Sequence, residues 1–308
     1  MSSNSIIRMG SAHMYDSSLR NIGARQSSLV DLNEKLTSGK RVLHASDDPV
    51  AAAQAERAMT RIERIQVEQR SLDAQRNVIA QAESSLGDAV GLVQEIRELL
   101  ISAGNGAHNS TDRATIANQL QSLRDQLLGV ANRKDTNGVP LLNALGSPSI
   151  PFAGAAPAFG GLPGQVTGTD TAIAGALDGH AAYTIPADGA TPSESLFNAL
   201  DTAIGGIRNA PDSSAAMAAV TTGLGQLDRG LDQLQTVRGY AGELLNQADR
   251  ITGDQEKRSI QLEADRSRAE DMDLVKGLSE FQSQQVGYEA ALKTYSMVQK
   301  LSLFNYIS

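Results

Sequence analysis

The sequence contains no cysteine and no tryptophan, and only 4% of its residues are aromatic. The absence of cysteine excludes disulfides, zinc thiolates and thiol nucleophiles, and it is compatible with any cellular compartment. Because the apolar residues are mostly Ala, Leu, Ile and Val, narrow helix seams are favoured over a thick globular core. A chain of 308 residues with 41% hydrophobic content can nevertheless form packed cores in about one to three domains.

Long basic runs and long apolar runs are missing as well. The formal net charge is −8 at pH 7, and no cluster of Lys and Arg supplies the phosphate contacts that a nucleic-acid-binding protein needs. The N-terminal stretch MSSNSIIRMGSAHMYDSSLR lacks the apolar core of a secretory signal, and no later segment approaches a membrane span. If the protein leaves the cytoplasm, we expect it to use another route.

Residue patterns typical of enzymes and metal sites are weak. The four histidines are scattered, without the spacing that places two imidazoles on one helix face. His44, Ser46 and Asp47 combine the residue types of a hydrolase triad, but neighbouring positions in one loop rarely allow the relay geometry, so a capping role is favoured. No calcium-binding loop surrounds Asp271 and Asp273. We therefore predict no catalytic, cofactor or metal site, and we predict that the protein is not an enzyme.

Both terminal segments carry a seven-residue apolar period, which is typical of helices that pack along a narrow seam. The first row comprises Tyr15, Ile22, Leu29 and Leu36 near the N-terminus, and Leu274, Phe281, Tyr288 and Tyr295 near the C-terminus. The second, interleaved row mixes apolar with polar residues: Leu19, Gln26, Asn33, Leu278, Gln285, Leu292 and Gln299. Such helices need partners, so we predict that they pair with each other and pack against other subunits. For either segment alone, an ordinary amphipathic helix on a globular domain is the alternative.

Longer seams between these segments predict an inner helical bundle. Six apolar residues are strictly seven apart: Ile65, Leu72, Ile79, Leu86, Val93 and Leu100. Because no proline follows Pro49 until residue 140, one helix is predicted from Pro49 to about Ile101. A turn at 104–106 and a restart near residue 109 complete a helical hairpin. A return helix with a seam over 220–251 is predicted to pack against the first, so the expected architecture is an elongated rod.

The polar stretch LTSGKRVLHASDDP interrupts this helical pattern. Ser38-Gly39 is a predicted helix stop, because glycine adopts the left-handed conformation without a Cβ penalty. Asp47 and Asp48 are N-cap types, and Pro49 suits the first position of a new helix. The residues predicted to connect two packing units are Gly39, Lys40, Arg41, Asp47, Asp48 and Pro49. The charged segment 253–273 is predicted to form a matching polar gap near the C-terminus.

From Pro140 to Pro192 the sequence is rich in Gly, Pro, Ala and Thr, and helical periodicity disappears. Residues 181–185 are a candidate strand, which predicts a small β-containing insertion, and a disordered linker is the alternative. A capping box at 191–194 is predicted to restart the helices. Because no heptad contact depends on this region, deletion of about 148–187 is expected to leave the helical part intact.

These signals predict three parts. Terminal coiled-coil helices occupy 1–45 and 255–308, a helical bundle occupies 46–143 and 191–254, and a variable insertion at 144–190 points outward. The predicted fold is therefore mainly α.

Several of these segments resemble the flagellin superfamily. The pattern Ser-Gly-Lys-Arg followed by Asp-Asp-Pro-Val-Ala-Ala is typical of the family. LVQEIRELLISAGNG and DRATIANQLQSLRDQLLGVANRKDTNGVPLL resemble its inner-domain helices, and DMDLVKGLSEFQSQQVGYEAALKTYSMVQKLSLFNYIS resembles its terminal helix. The resemblance covers roughly 1–143 and 193–308. Pro49 and the Ser-Leu-Phe near the C-terminus favour a member from the junction between hook and filament over a filament flagellin.

The resemblance implies a structural, extracellular protein of the bacterial flagellum, exported unfolded through the flagellar type III apparatus without a cleaved signal. It implies a ring of copies between the hook-side junction protein (hook-associated protein 1) and flagellin, and a cytoplasmic export chaperone that holds the C-terminal helix. The first row, together with Leu19, Leu278 and Leu292, would serve subunit packing and chaperone binding. Nucleic acid and membrane are not expected partners. The alternatives are a filament flagellin or a non-flagellar secreted coiled-coil protein.

Overall fold

The structure, a computed structural model, describes residues 3–146, 148, 150–188 and 192–307, with the side chains of residues 3–15, 298 and 300–307 left aside. Within these ranges the elements are α1 (Ser3–Ser38), α2 (Pro49–Ala103), α3 (Ser110–Ala131), β1 (Phe152–Ala153), β2 (Ala158–Phe159), α4 (Gly179–Tyr183), β3 (Thr184–Ile185), β4 (Glu194–Ser195), α5 (Leu196–Arg208), α6 (Ser213–Glu270) and α7 (Leu274–Ile307). The short strands form two antiparallel pairs, β1 with β2 and β3 with β4. The predicted mainly-α class is confirmed.

Contacts divide the chain into two compact units. The terminal unit comprises Met1–Arg64 and Arg258–Ser308, and the central unit comprises Ile65–Lys257. Helices α2 and α6 each contribute residues to both units. None of the described helices is long and apolar enough to cross a membrane.

The seam of the central unit follows the sequence period. All six residues of the α2 heptad row are buried, and on α6 Leu227, Leu234, Ala241 and Ala248 are buried at the same spacing. Ion pairs join the two helices in antiparallel order, with Arg97 bound to Asp228 at 2.8 Å and Arg76 bound to Asp249 at 3.0 Å. The predicted packing of the return helix against the first is confirmed.

The predicted hairpin turn is also confirmed. Helix α2 ends at Ala103, and α3 begins at Ser110 after an N-cap at Asn109. The Asn109 side chain accepts the backbone N–H of Asp112, whose carboxylate accepts the Asn109 N–H in return. This reciprocal capping box satisfies two of the amides that a helix start leaves without intrahelical partners.

The predicted polar gap at 253–273 is mostly wrong, because α6 continues to Glu270 and only 271–273 separate it from α7. This charged segment has no strong apolar period, but ion pairs between residues one helical turn apart stabilise it as a helix. They include Lys257 with Asp254, Arg266 with Glu263, and Arg268 with Asp265.

The middle segment is packed into the central unit, in one core with the heptad residues of α2 and α6, so the prediction that no heptad contact depends on it is wrong. Phe152, Ile173, Leu177 and Ile185 are each at most 3% exposed and belong to the same core as α2 and α6. The Ile173 N–H also donates to the side-chain oxygen of Gln75 on α2, at 3.2 Å. Since these residues are buried, the disordered-linker alternative fails as well.

An aromatic cluster anchors this segment to α5. The rings of Phe152, Tyr183 and Phe197 lie 5.1–5.4 Å apart, and Phe159 contacts Phe152 at 5.6 Å. The side-chain amide of Asn132, which follows α3, donates to the Phe152 carbonyl and accepts its N–H. Residues that are distant in sequence therefore converge on one small core.

Two local predictions near this core need correction. Only Thr184–Ile185 of the candidate strand 181–185 is extended, because Asp178 caps the short helix α4 that ends at Tyr183. Helix α5 starts at Leu196 with Ser195 as its N-cap, after Glu194–Ser195 has paired with β3. The predicted box at 191–194 therefore does not start this helix, and Thr191 lies outside the described residues.

Helices α5 and α6 cross at small residues. A Cβ added to Gly223 would lie 2.7 Å from the Ala203 Cβ, and one added to Gly206 would lie 2.7 Å from the Ala219 Cβ. Since Cβ atoms are fixed by the backbone, neither contact can be relieved by a side-chain rotation. The crossing distance thus depends on glycine at both positions.

Substitution of Gly223 by Ala is expected to destabilise the protein by about 1–3 kcal/mol, because the added methyl overpacks this crossing. The matched control is Gly225→Ala, since Gly225 lies on the same helix with nothing within 4 Å of the added carbon. That control is expected to stabilise the protein by about 0.5–1 kcal/mol through helix propensity. Urea denaturation of both variants measures the difference, and equal effects would contradict the close crossing.

Candidate functional site

The first candidate site is the antiparallel pair formed by α1 and α7. Leu36 lies beside Gly277, and Arg25 lies beside Gly287, so residue numbers rise along one helix as they fall along the other. Gly277 is buried where Leu36 approaches it, which requires a residue without a side chain. The predicted pairing of the two terminal helices within one chain is present.

The structure separates the two predicted rows. In the first row, Ile22, Leu29, Leu36, Phe281, Tyr288 and Tyr295 are all half-buried. Leu274, at the start of α7, is 57% exposed, and the side chain of Tyr15 lies outside the described residues. The second row faces solvent, because Leu19, Leu278 and Leu292 are 41–52% exposed. The first row thus pairs the helices, and the second row is available to another molecule.

A third set of apolar residues on α7 was not predicted. Val275, Val286 and Met297 are 62–82% exposed and eleven residues apart, which is close to three helical turns. Their spacing places them on the side of α7 away from Phe281 and Tyr288. A search for a period of eleven, in addition to seven, would have found this stripe.

The second candidate site is the predicted connection between packing units. Helix α1 ends at Ser38, and Gly39 takes a φ of +72°, as the predicted glycine stop requires. The Met272 N–H donates to the Gly39 carbonyl at 2.9 Å, and the Arg41 N–H donates to the Glu270 carbonyl at 2.7 Å. The α1–α2 connection is therefore bound along its backbone to the α6–α7 connection.

Side chains reinforce this contact. The Arg41 guanidinium donates to the Ala269 carbonyl at 2.8 Å and to the Asp48 carboxylate at 3.1 Å. The Lys40 ammonium lies 3.2 Å from the Glu270 carboxylate. In the same region, the side chains of Val42, Ala51, Ala55 and Ala269 are buried together in a small core. The structure thus brings Gly39, Lys40, Arg41 and Asp48 together around the end of α6.

Two carboxylates order the loop before α2. Asp47 accepts the backbone N–H groups of Leu43 and His44, and these bonds, that from His44 most strongly, lower the pKa of Asp47 below its ordinary value. Asp48 is the N-cap of α2, since its carboxylate accepts the N–H of Ala51, the third residue of that helix. This bond lowers the pKa of Asp48. The predicted capping role is confirmed.

Acidification is expected to open this loop. Because the folded-state pKa of Asp47 and of Asp48 is lowered, the stabilisation that these carboxylates provide is complete above the unfolded-state pKa of about 3.9. It is lost as the pH falls through the lower folded-state values. Hydrogen-exchange protection of the Leu43 and His44 amides should therefore be constant from neutral pH to about pH 4 and decrease below it. In Asp47→Asn this decrease should be absent, and equal pH profiles would contradict the assignment.

Groups suited to metal chemistry do not converge in the part of the chain that the structure describes. No group of three or more His, Asp or Glu side chains there could hold a metal ion. His44 is exposed in the loop before α2, and its backbone N–H, not its imidazole, contacts Asp47. The described geometry is that of contact surfaces.

Comparison with known proteins agrees with this arrangement. Residues 11–146 match the bacterial flagellin N-terminal helical region. Flagellar hook-associated protein 3 of Salmonella typhimurium is 29% identical over 97% of this chain and 99% of its own length. The protein of that name from Escherichia coli is 28% identical over the same shares. The crystal structure of hook-associated protein-3 from Legionella pneumophila superposes with a TM-score of 0.60 at 18% identity, over 68% of this chain and 97% of that one.

Residues 11–146 are thus similar to the N-terminal helical region of bacterial flagellins. Over nearly its whole length, the chain is also similar to flagellar hook-associated protein 3.

Proposed function

We propose that this protein is the adaptor at the junction of hook and filament, on which the filament is built. The observation that supports this most strongly is the similarity to hook-associated protein 3 over nearly the whole length of both chains. The proposed role requires contact surfaces and needs no catalytic, cofactor or metal site.

The terminal helices support a role in assembly. Six residues of the first row are half-buried within the chain, whereas the apolar residues of the second row and the stripe of Val275, Val286 and Met297 are exposed. Exposed apolar residues on two sides of one helix are costly in water unless a partner covers them. We infer that copies of the chain cover these surfaces in a ring, with hook-associated protein 1 on one side and flagellin on the other.

The same surfaces have a second proposed partner before export. In the cytoplasm, exposed apolar residues of α7 would favour aggregation, and a chaperone with an apolar groove would cover them by binding the helix. We infer that the chain leaves the cell through the flagellar type III apparatus and functions outside it. We also propose that the terminal helices, residues 1–45 and 255–308, pack between copies. The bundle, residues 46–143 and 191–254, would then carry the segment 144–190.

Electron microscopy of a strain that lacks this chain tests the proposal. We expect complete hooks without filaments, together with flagellin released into the medium. Expression of the wild-type chain from a plasmid should restore attached filaments. Normal filaments in the deletion strain, or missing hooks, would contradict the junction role.

A further inference from the structure

Two grooves flank the segment of the terminal unit in which the start of α2 lies beside the end of α6. The first, here called the basic groove, is lined by Arg57, Arg61, Asp265 and Arg268. Because Arg268 is paired with Asp265 at 2.8 Å, the charge that this groove offers to another molecule comes from Arg57 and Arg61. The groove is therefore positively charged.

The second groove, here called the acidic groove, lies along a different side of α2. Glu56 and Glu270 line it, together with Arg266, and Met59 contributes an apolar side chain that is 45% exposed. Arg266 is already bound to Glu270 and Glu263, at 3.2 and 2.6 Å, and Lys40 also pairs with Glu270, at 3.2 Å. The negative charge that this groove offers to another molecule therefore comes from Glu56. Glu63 extends this side of the helix, since it lies two turns after Glu56.

Three charged residues of α2 line these grooves, namely Arg57, Arg61 and Glu56, and Glu63 lies beside the acidic groove. Arg57, Arg61, Glu56 and Glu63 are exposed, and among the described residues none of their side chains forms an ion pair. Arg57 and Arg61 lie one turn apart, where like charges destabilise a helix.

In the central unit, several arginines bind acidic residues of other elements, as Arg76, Arg97, Arg133 and Arg238 do at 2.7–3.0 Å. Arg57 and Arg61 have no such partner among the described residues. These two cations and the anions Glu56 and Glu63 are complementary to each other.

We propose that the basic groove of one subunit docks on the acidic groove of a second copy of this chain. Arg57 and Arg61 of one copy would face Glu56 and Glu63 of the next, with Met59 within the contact. Because the two surfaces differ, the contact is head-to-tail and repeats from copy to copy, as a ring or helical assembly requires. This inference rests on the proposed junction function, and it assigns the surface that joins neighbouring copies.

Charge exchange tests this assignment in the deletion strain. Arg57→Glu/Arg61→Glu gives the chain two acidic grooves, and Glu56→Arg/Glu63→Arg gives it two basic ones. Each double variant is expected to lower the fraction of hooks with filaments by about tenfold or more, because like charges then face each other. The quadruple variant, which carries all four substitutions, exchanges the two surfaces and is expected to restore about half of the wild-type fraction or more.

Folding and net charge are controlled separately. All four positions are exposed, so thermal unfolding of the purified variants should stay close to that of the wild type. Lys134→Glu/Lys276→Glu makes the same change of net charge as Arg57→Glu/Arg61→Glu, at two exposed lysines outside both grooves, and it should leave filaments attached.

The outcomes distinguish this inference from the proposed function. Failure of the wild-type chain to restore filaments would overturn the junction role itself. With that role intact, the groove assignment is overturned if either double variant assembles normally, or if the folded quadruple variant does not recover. Loss of filaments in Arg57→Glu/Arg61→Glu alone would instead indicate an acidic partner other than this chain, and would also overturn the assignment.

Discussion

Replacement of Phe197 by Ala is expected to lower the free energy of unfolding by about 3–5 kcal/mol, which is the usual cost of removing a buried aromatic ring. Phe197 is fully buried, and it stacks on Tyr183 with ring centroids 5.4 Å apart. The Arg124 guanidinium lies 5.8 Å from the centre of the same ring. Removal of the Phe197 ring would leave a cavity between α5 and the middle segment, so denaturant unfolding should show a large loss of stability.

Tyr183→Phe is the matched control in the same cluster. The Tyr183 hydroxyl is buried without a hydrogen-bond partner among the described residues, and burial raises the pKa of this phenol. Removing an unsatisfied hydroxyl while keeping the ring is expected to be neutral or stabilising by about 1 kcal/mol. If Phe197→Ala and Tyr183→Phe changed the free energy of unfolding by equal amounts, the cluster would not be part of the core.

Phe281→Asp is expected to abolish both junction assembly and chaperone binding. Phe281 is half-buried where α7 packs against α1, and a charge placed there without a partner costs on the order of several kcal/mol. The same residue lies on the helix that we propose the chaperone binds. Filament attachment and binding of the purified chaperone should be measured separately.

Glu280→Asp is the control for this variant. It introduces the same side chain one residue away, at an exposed position of α7 that lies outside the second row and the stripe of Val275, Val286 and Met297. We expect wild-type behaviour in both measurements. Wild-type assembly and chaperone binding of Phe281→Asp itself would show that the first row does not form the seam.

Helix boundaries were predictable from the sequence wherever local chemistry determines them. The glycine after Ser38, the proline that opens α2 and the asparagine before α3 each satisfy a requirement of a helix end, and each lies where it was predicted. The buried α2 row was predictable because a helix repeats nearly every seven residues. These signals involve only neighbouring residues.

Tertiary contacts account for what the sequence did not indicate. The middle segment has no helical period, and its burial depends on Phe152 and Tyr183 meeting Phe197 of α5 across distant positions. Ion pairs within α6 stabilise its last turns, where the sequence has no strong apolar period. At the terminal helices, the period predicted two rows, but only packing shows that most of the first row is half-buried and that the second row is exposed.

The pairing of α1 with α7 also constrains the order of folding. Leu36 and Gly277 are in contact although roughly 240 residues separate them, so this contact closes nearly the whole chain into one loop. Helix α1 cannot find its partner until the last helix is available, whereas the α2–α3 hairpin needs only its own residues. A chain emerging from a narrow channel would therefore complete its central unit first and its terminal unit last. A truncation before Leu274 would remove the helix with which α1 pairs.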